Sequence, residues 1–176
     1  EGILYSKRRT LYLLDKAKQS IREKKRVILV EGYMDALRLQ INEYTETVAS
    51  LGTALTEEQA QQLNRLSDRC CICYDADAAG QEATIRSMYI LQKTGLSVSV
   101  VQIPVGKDPD ELLQSVDGPA LFEEALRKAL PLVSYHIAAR RAMLDAPETR
   151  KKATEDIVEG LRNLGPVDAE PFLSKA

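Results

Sequence analysis

"CCICYDADAAGQEA", residues 70–83, runs a short apolar stretch into Asp75 and Asp77 and then into Ala78, Ala79 and Gly80. The apolar residues fit a buried strand of about 70–74. A helix from about 79 to Lys93 follows, and Gly95 is its stop signal. Strand, turn and helix in that order are the unit of an α/β sheet. The turn carries two like charges one residue apart. Either they are simply solvated, or they surround something doubly positive.

Similar units lie on both sides. "RVILVEG" (26–32) is a β-branched run that ends at Glu31 and Gly32, and "YMDALRLQINEY" (33–44) reads as a helix. "TVASLG" (47–52) is a second strand. Thr56, followed by Glu57, Glu58 and Gln59, gives a hydroxyl cap with acids in the first turn of a helix that ends near Ser67. "SVSVVQIP" (97–104) is a fourth strand, and "VGKDPDELLQSV" (105–116) turns into a short helix. Strands alternate with helices from 27 to 115, which predicts a parallel sheet with helices on both faces. Leu11, Leu14, Ala17 and Ile21 predict a helix over about 10–24. Residues 119–129, 131–144 and on to about 164 read as helices only, a separate small bundle. The expected division is a basic lead-in of 1–26, an α/β domain of 27–115 and a helical subdomain of 116–176.

With 176 residues, 44% apolar and 28% charged, the chain suits one domain with a smaller appendage. Tryptophan is absent and phenylalanine scarce, so the core must come from Leu, Ile, Val and Ala. No apolar run is long enough to span a membrane. The chain starts at Glu1 without a methionine, as an excised piece would. Cys70, Cys71 and Cys73 lack zinc-ligand spacing and read as reduced core cysteines. Residues 1–26 hold nine Lys/Arg and three Asp/Glu, a net of +6, against −8 for the rest. Such an arm suits a phosphate backbone, or is a solvated helix face.

The acids fall at strand ends. Glu31 closes the first strand, with Asp35 four residues on; Asp75 and Asp77 close the third; Asp108 and Asp110 follow the fourth. In a parallel sheet these ends share the carboxyl edge, where open α/β sheets bind ligands. Clustered carboxylates raise one another's pKa values, and a hard divalent cation relieves that cost. One acid at a helix N-terminus only complements the dipole, but acids at three strand ends argue for metal. A calcium loop of EF-hand type is excluded, because Ala79 and Arg86 stand where it needs charged or oxygen ligands. There is no Walker lysine motif, no dinucleotide glycine fingerprint and no nucleophile elbow. His136 and its neighbouring tyrosines read as bundle core.

"VEGYMDAL" (30–37), "ASLGTALT" (49–56), "YDADAAGQEA" (74–83) and "GKDPDEL" (106–112) resemble the TOPRIM domain of topoisomerases, primases and certain nucleases. "EGYMD", together with "LYSKRRTLYLLDKAK" (4–18), resembles the bacterial replicative primases of the DnaG family. The resemblance covers about 3–145 and implies a TOPRIM fold, a parallel sheet flanked by helices, followed by a C-terminal helical subdomain. It implies Glu31, Asp75 and Asp77 as catalytic and metal-binding residues, with Mg²⁺ or Mn²⁺ as the ion. Asp108 and Asp110 match further metal or nucleotide ligands, and Asp35 a supporting acid. Lys7, with Arg8 and Arg9, matches a basic position beside template and nucleotide. Ala76 stands where many relatives carry glycine or serine.

The implied activity is synthesis of short RNA primers on single-stranded DNA: a 3′-hydroxyl attacks the α-phosphate of the next ribonucleoside triphosphate and releases pyrophosphate. Glu31 is either a metal ligand or a general base. The family's zinc-binding domain and the basic half of its polymerase core are not in this sequence, and a helicase-binding region would lie beyond Ala176. The implied location is the bacterial cytoplasm, at the replisome. The alternatives are a TOPRIM nuclease and a metal- and nucleotide-binding fragment without turnover. A topoisomerase would need a catalytic tyrosine outside the helix and strand patterns in which the tyrosines here sit.

Overall fold

The computed structural model describes residues 9–51 and 54–164. The elements run α1 (Leu14–Lys24), β1 (Val27–Val30), α2 (Tyr33–Ile41), β2 (Thr47–Ala49), α3 (Glu57–Asn64), β3 (Arg69–Cys73) and α4 (Ala78–Lys93). There follow β4 (Ser97–Val100), α5 (Pro109–Leu112), α6 (Gly118–Arg127), β5 (Leu130–Pro131), α7 (Leu132–Ala139), α8 (Arg141–Asp145) and α9 (Pro147–Arg162).

The sheet order is β2-β1-β3-β4-β5. The first four strands are parallel, with Val30 opposite Ala49 on one side and Cys73 on the other. The sheet is thus mixed rather than wholly parallel, because β5 pairs antiparallel with β4. Those two residues include Pro131, which lacks an N–H and is tolerated at an edge. The helix expected over 131–144 therefore starts at Leu132 and breaks at Arg140 into α7 and α8.

Strand alternation splits the core into two layers. Val27, Leu29, Cys70 and Ile72 face one side, where α1, α3, α4 and α7 cover them with Ile21, Leu63, Met88 and Leu132. Ile28, Val30, Cys71 and Cys73 face the other, beneath Ala36 and Leu39 of α2, Leu112 of α5 and Phe122 of α6. The three cysteines are free and buried, as their place in a strand requires. The chain after 115 thus packs onto the sheet through α6, β5 and α7 before it departs into α8 and α9.

This topology creates a crevice. The chain leaves β1 toward β2 on one flank, then crosses back to β3 on the other. Right-handed crossovers put α2 on one face of the sheet and α3 and α4 on the opposite face. The connections therefore diverge between the carboxyl ends of β1 and β3, which is where open α/β sheets take ligands.

Candidate active site

Glu31 and Asp75 flank that crevice, one residue beyond β1 and two beyond β3. The carbonyl of Glu31 accepts the Leu51 N–H at 3.0 Å, which fixes the end of β1 to the loop after β2. The Ala76 N–H donates to the Lys107 carbonyl at 2.8 Å, which ties the turn after β3 to the turn after β4. Three acidic segments are thus held by their backbones along one rim.

Local capping explains part of the acidity. Asp77 Oδ1 accepts the Gly80 N–H at 2.8 Å and caps α4. Asp108 Oδ1 accepts the Glu111 N–H at 2.7 Å and caps α5. Gly80 lies so close to the Asp75 carbonyl that a Cβ there would collide with backbone. Only glycine lets α4 start against the end of β3.

The acids differ in what they have left to offer. Asp35 is buried and accepts the Asp110 N–H at 3.2 Å and the Gly32 N–H at 3.3 Å. Both oxygens of Asp110 are taken, one by Arg38 Nε at 2.7 Å and the other by Gln114 Nε2 at 2.9 Å. Asp108 keeps one oxygen, 4.0 Å from Lys107 Nζ. Among the described residues, the carboxylates of Glu31 and Asp75 have no hydrogen-bond donor and no ion-pair partner.

The electrostatics follow. Burial, then the charges of Asp75 and Asp77, push the Glu31 carboxyl above the usual glutamate range. Burial, then Asp108 and Asp77, push Asp75 up, and Lys107 opposes them. Asp35 is pushed up to about 6, mainly by burial, with Asp108 and Asp75 adding to it and its two backbone donors pulling it back. Glu31, Asp35 and Asp75 each feel neighbouring acids, yet among the described residues no three His, Cys, Asp or Glu converge closely enough to hold an ion as they stand. Mutual repulsion keeps like charges apart until a cation screens them. Unpartnered carboxylate oxygens with raised affinity for positive charge fit a hard divalent ion.

Beside the rim lies a cavity of about 230 Å³, lined by Glu31, Ser50, Leu55, Tyr74, Ala83 and Arg86 among others. Its polar side is a chain of buried hydroxyls: Tyr74 Oη is 3.3 Å from Ser50 Oγ and 3.5 Å from Ser87 Oγ.

The structure thus brings Glu31, Asp35, Asp75, Asp77, Asp108 and Asp110 to one edge. Lys7 and Arg8 lie outside the described residues. Arg9 is exposed, and its carbonyl accepts from Gln62 Nε2 of α3 at 2.8 Å. Two basic residues at the site were missed from sequence. Lys107 stands beside Asp108 in "GKDPDEL", a signal that was available. Arg86 shares the helical spacing of Ala79 and Ala83 on α4, which only a known crevice makes meaningful.

Comparison with known proteins gives a consistent picture. A family model described as Toprim-like matches residues 28–113. The chain is 39% identical over 151 residues to a DNA primase of Clostridium acetobutylicum, covering 85% of this chain and 25% of that protein. It resembles the crystal structure of the zinc-binding and RNA polymerase domains of the Aquifex aeolicus primase, with a TM-score of 0.81 and 30% identity. That match covers 99% of this chain and 43% of the other. A DnaG primase catalytic domain bound to single-stranded DNA matches with a TM-score of 0.80 and 28% identity, over 99% of this chain and 58% of its own. The chain spans about a quarter of the length of the curated relative.

Proposed function

Because the chain belongs to the TOPRIM family, in the branch of bacterial DNA primases, we propose that it is the metal-binding part of a polymerase core that makes RNA primers on single-stranded DNA. The observation that carries this reading is the pair Glu31 and Asp75, on either side of the switch crevice and without hydrogen-bond donor or ion-pair partner among the described residues. A stability role would have given them cations.

Asp75, Asp77 and Glu31 would hold Mg²⁺ or Mn²⁺, with the remaining oxygen of Asp108 in support. A divalent ion bound there supplies charge neutralisation for a triphosphate and its pentavalent transition state. The chain's own residues do the rest. Asp77 fixes the start of α4 with Oδ1, which leaves Oδ2 as the oxygen it would offer an ion. Glu31, raised by burial and its acidic neighbours, is placed either to ligate or to take the proton of the attacking 3′-hydroxyl. Lys107 puts a positive charge beside Asp75 and Asp108, where a triphosphate would arrive. Asp110 is a positioning residue in this reading, because it clamps Arg38 and offers its N–H to Asp35. The basic lead-in with Lys7, Arg8 and Arg9 would follow template or triphosphate without reading bases.

The test is a Mn²⁺ titration read by electron paramagnetic resonance, with primer synthesis on single-stranded template measured in parallel. Wild type should bind Mn²⁺ tightly; Asp75→Asn and Glu31→Gln should weaken binding at least about tenfold. Asp110→Asn should bind as wild type does. Unchanged Mn²⁺ affinity in Asp75→Asn would remove the assignment. Strand cleavage without any need for nucleotides would replace polymerase with nuclease.

A further inference from the structure

One wall of the cavity beside the acid rim carries a cation, Arg86, that has no hydrogen-bond or ion-pair partner among the described residues. Arg86 lies on the stripe of α4 formed by Ala79, Ala83, Arg86 and Ile90, which together form one wall. Arg86 is exposed, and its guanidinium makes no hydrogen bond or ion pair among the described residues. The nearest acid on its helix that could have neutralised it is Glu82, one turn back. Arg140 takes both Glu82 oxygens, at 2.6 and 3.1 Å. Glu82 thus holds the helical tail against α4 and feels the charge of Arg86 only at a distance, so that among the described residues Arg86 has no contacting acid in the cavity it shares with Glu31.

The walls around it are of mixed character. Leu55, Ala83 and Ile90 are apolar, while Ser50, Tyr74 and Ser87 present hydroxyls. Such a lining suits a sugar with its base rather than a purely ionic group. One guanidinium cannot neutralise a triphosphate, but it matches a single phosphate by a bidentate contact.

We propose that this cavity seats one phosphate-bearing nucleotide unit next to the metal rim, with Arg86 as the anchor for its phosphate. The inference rests on the primase reading, and it adds a substrate-binding residue on α4 that the strand-end acids do not include. The phosphate can come from the backbone of a nucleic-acid strand or from a free nucleotide.

The experiment compares wild type with Arg86→Ala and Arg86→Lys in the whole protein. Binding of a fluorescent single-stranded oligonucleotide is measured across a salt series, and binding of a Mn²⁺–nucleoside triphosphate is measured separately. If the phosphate is the strand's, Arg86→Ala weakens oligonucleotide binding about tenfold and lowers the slope of log K against log salt by about 0.7. Nucleotide affinity is then unchanged, and primer synthesis shows a raised KM with kcat nearly constant. If the phosphate is a free nucleotide's, the loss falls on the triphosphate and the salt slope for the strand is preserved. Arg86→Lys recovers part of the loss in either case, whereas Arg86→Met, which keeps a long apolar stem without the charge, recovers none of it; recovery by Arg86→Met would assign the residue to packing and overturn the anchor. Wild-type affinities and an unaltered salt slope in Arg86→Ala overturn the anchor while leaving the primase reading intact. A wild type that binds neither ligand overturns both.

Discussion

Glu46 and Glu31 stand at opposite ends of the same pair of parallel strands, and the fold treats them in opposite ways. Glu46 precedes β2 at the amino edge, is fully buried, and accepts from Lys24 Nζ at 2.8 Å and Arg26 Nη2 at 2.6 Å. Burial alone would push its carboxyl up, but hydrogen bonds from Lys24 and Arg26 bring it below the usual range. Glu31 follows β1 at the carboxyl edge, has no such donor among the described residues, and is pushed up by burial and by the neighbouring acids. A carboxylate that serves the fold is paired; one left among like charges costs stability, a cost that a bound cation would relieve.

The largest expected effect tests the carboxyl edge. Glu31→Gln in the whole protein should slow primer synthesis by about 10²- to 10³-fold, the scale of losing one preorganised transition-state group. The unfolding midpoint should stay level or rise, since a repulsive charge has gone. A variant that both loses activity and unfolds early would show that Glu31 is structural after all, and the contrast with Glu46 would collapse.

The next effect tests the amino edge. Glu46→Gln removes the charge that Lys24 and Arg26 share and should cost about 2–3 kcal/mol in urea unfolding. The two cations are partly exposed and can return to water, which keeps the loss below that of a fully enclosed pair. Mn²⁺ affinity at the far edge should be unaltered. If it falls as far as stability does, the two ends are not separable.

How far the sequence could foresee this contrast depended on distance along the chain. The strands were legible because Val27–Val30 and Cys70–Cys73 are short apolar runs that start after an arginine and lead into Glu31 and Asp75. Asp77 and Asp108 were legible as strand-end acids, since both cap the helix that immediately follows. What could not be read was pairing across the fold. Asp108 and Asp110 look equivalent in "GKDPDEL", yet only Asp110 meets Arg38, 72 residues away. Glu46 sits in a polar loop sequence and shows its burial only once α1 folds over the edge with Lys24. The edge strand β5 was missed because two residues, one of them Pro131, carry no alternation to detect.

The smallest effect is a difference in pH slope between the two edges, and the signs are opposite. Asp35 moves from an ordinary 3.8 to about 6 in the folded chain, chiefly through burial. Between those values the folded state holds the proton more firmly than the unfolded state, so stability falls as pH rises through about 4 to 6. Glu46 is lowered from 4.5, so its contribution is complete above that value and is lost as pH falls below it. Asp35→Asn should therefore flatten the descending limb and gain roughly 1 kcal/mol or less at pH 7, once water at the rim is allowed for. Glu46→Gln should instead flatten the acid limb. Urea midpoints measured from pH 3.5 to 7.5 without divalent metal resolve the two limbs, and Mg²⁺ added at pH 7 should restore part of what the acid rim costs in wild type. An Asp35→Asn curve that keeps the descending limb would mean that the strain lies with Glu31 and Asp75 alone, and Asp35 would then belong with the hydrogen-bonded acids that hold the rim in place.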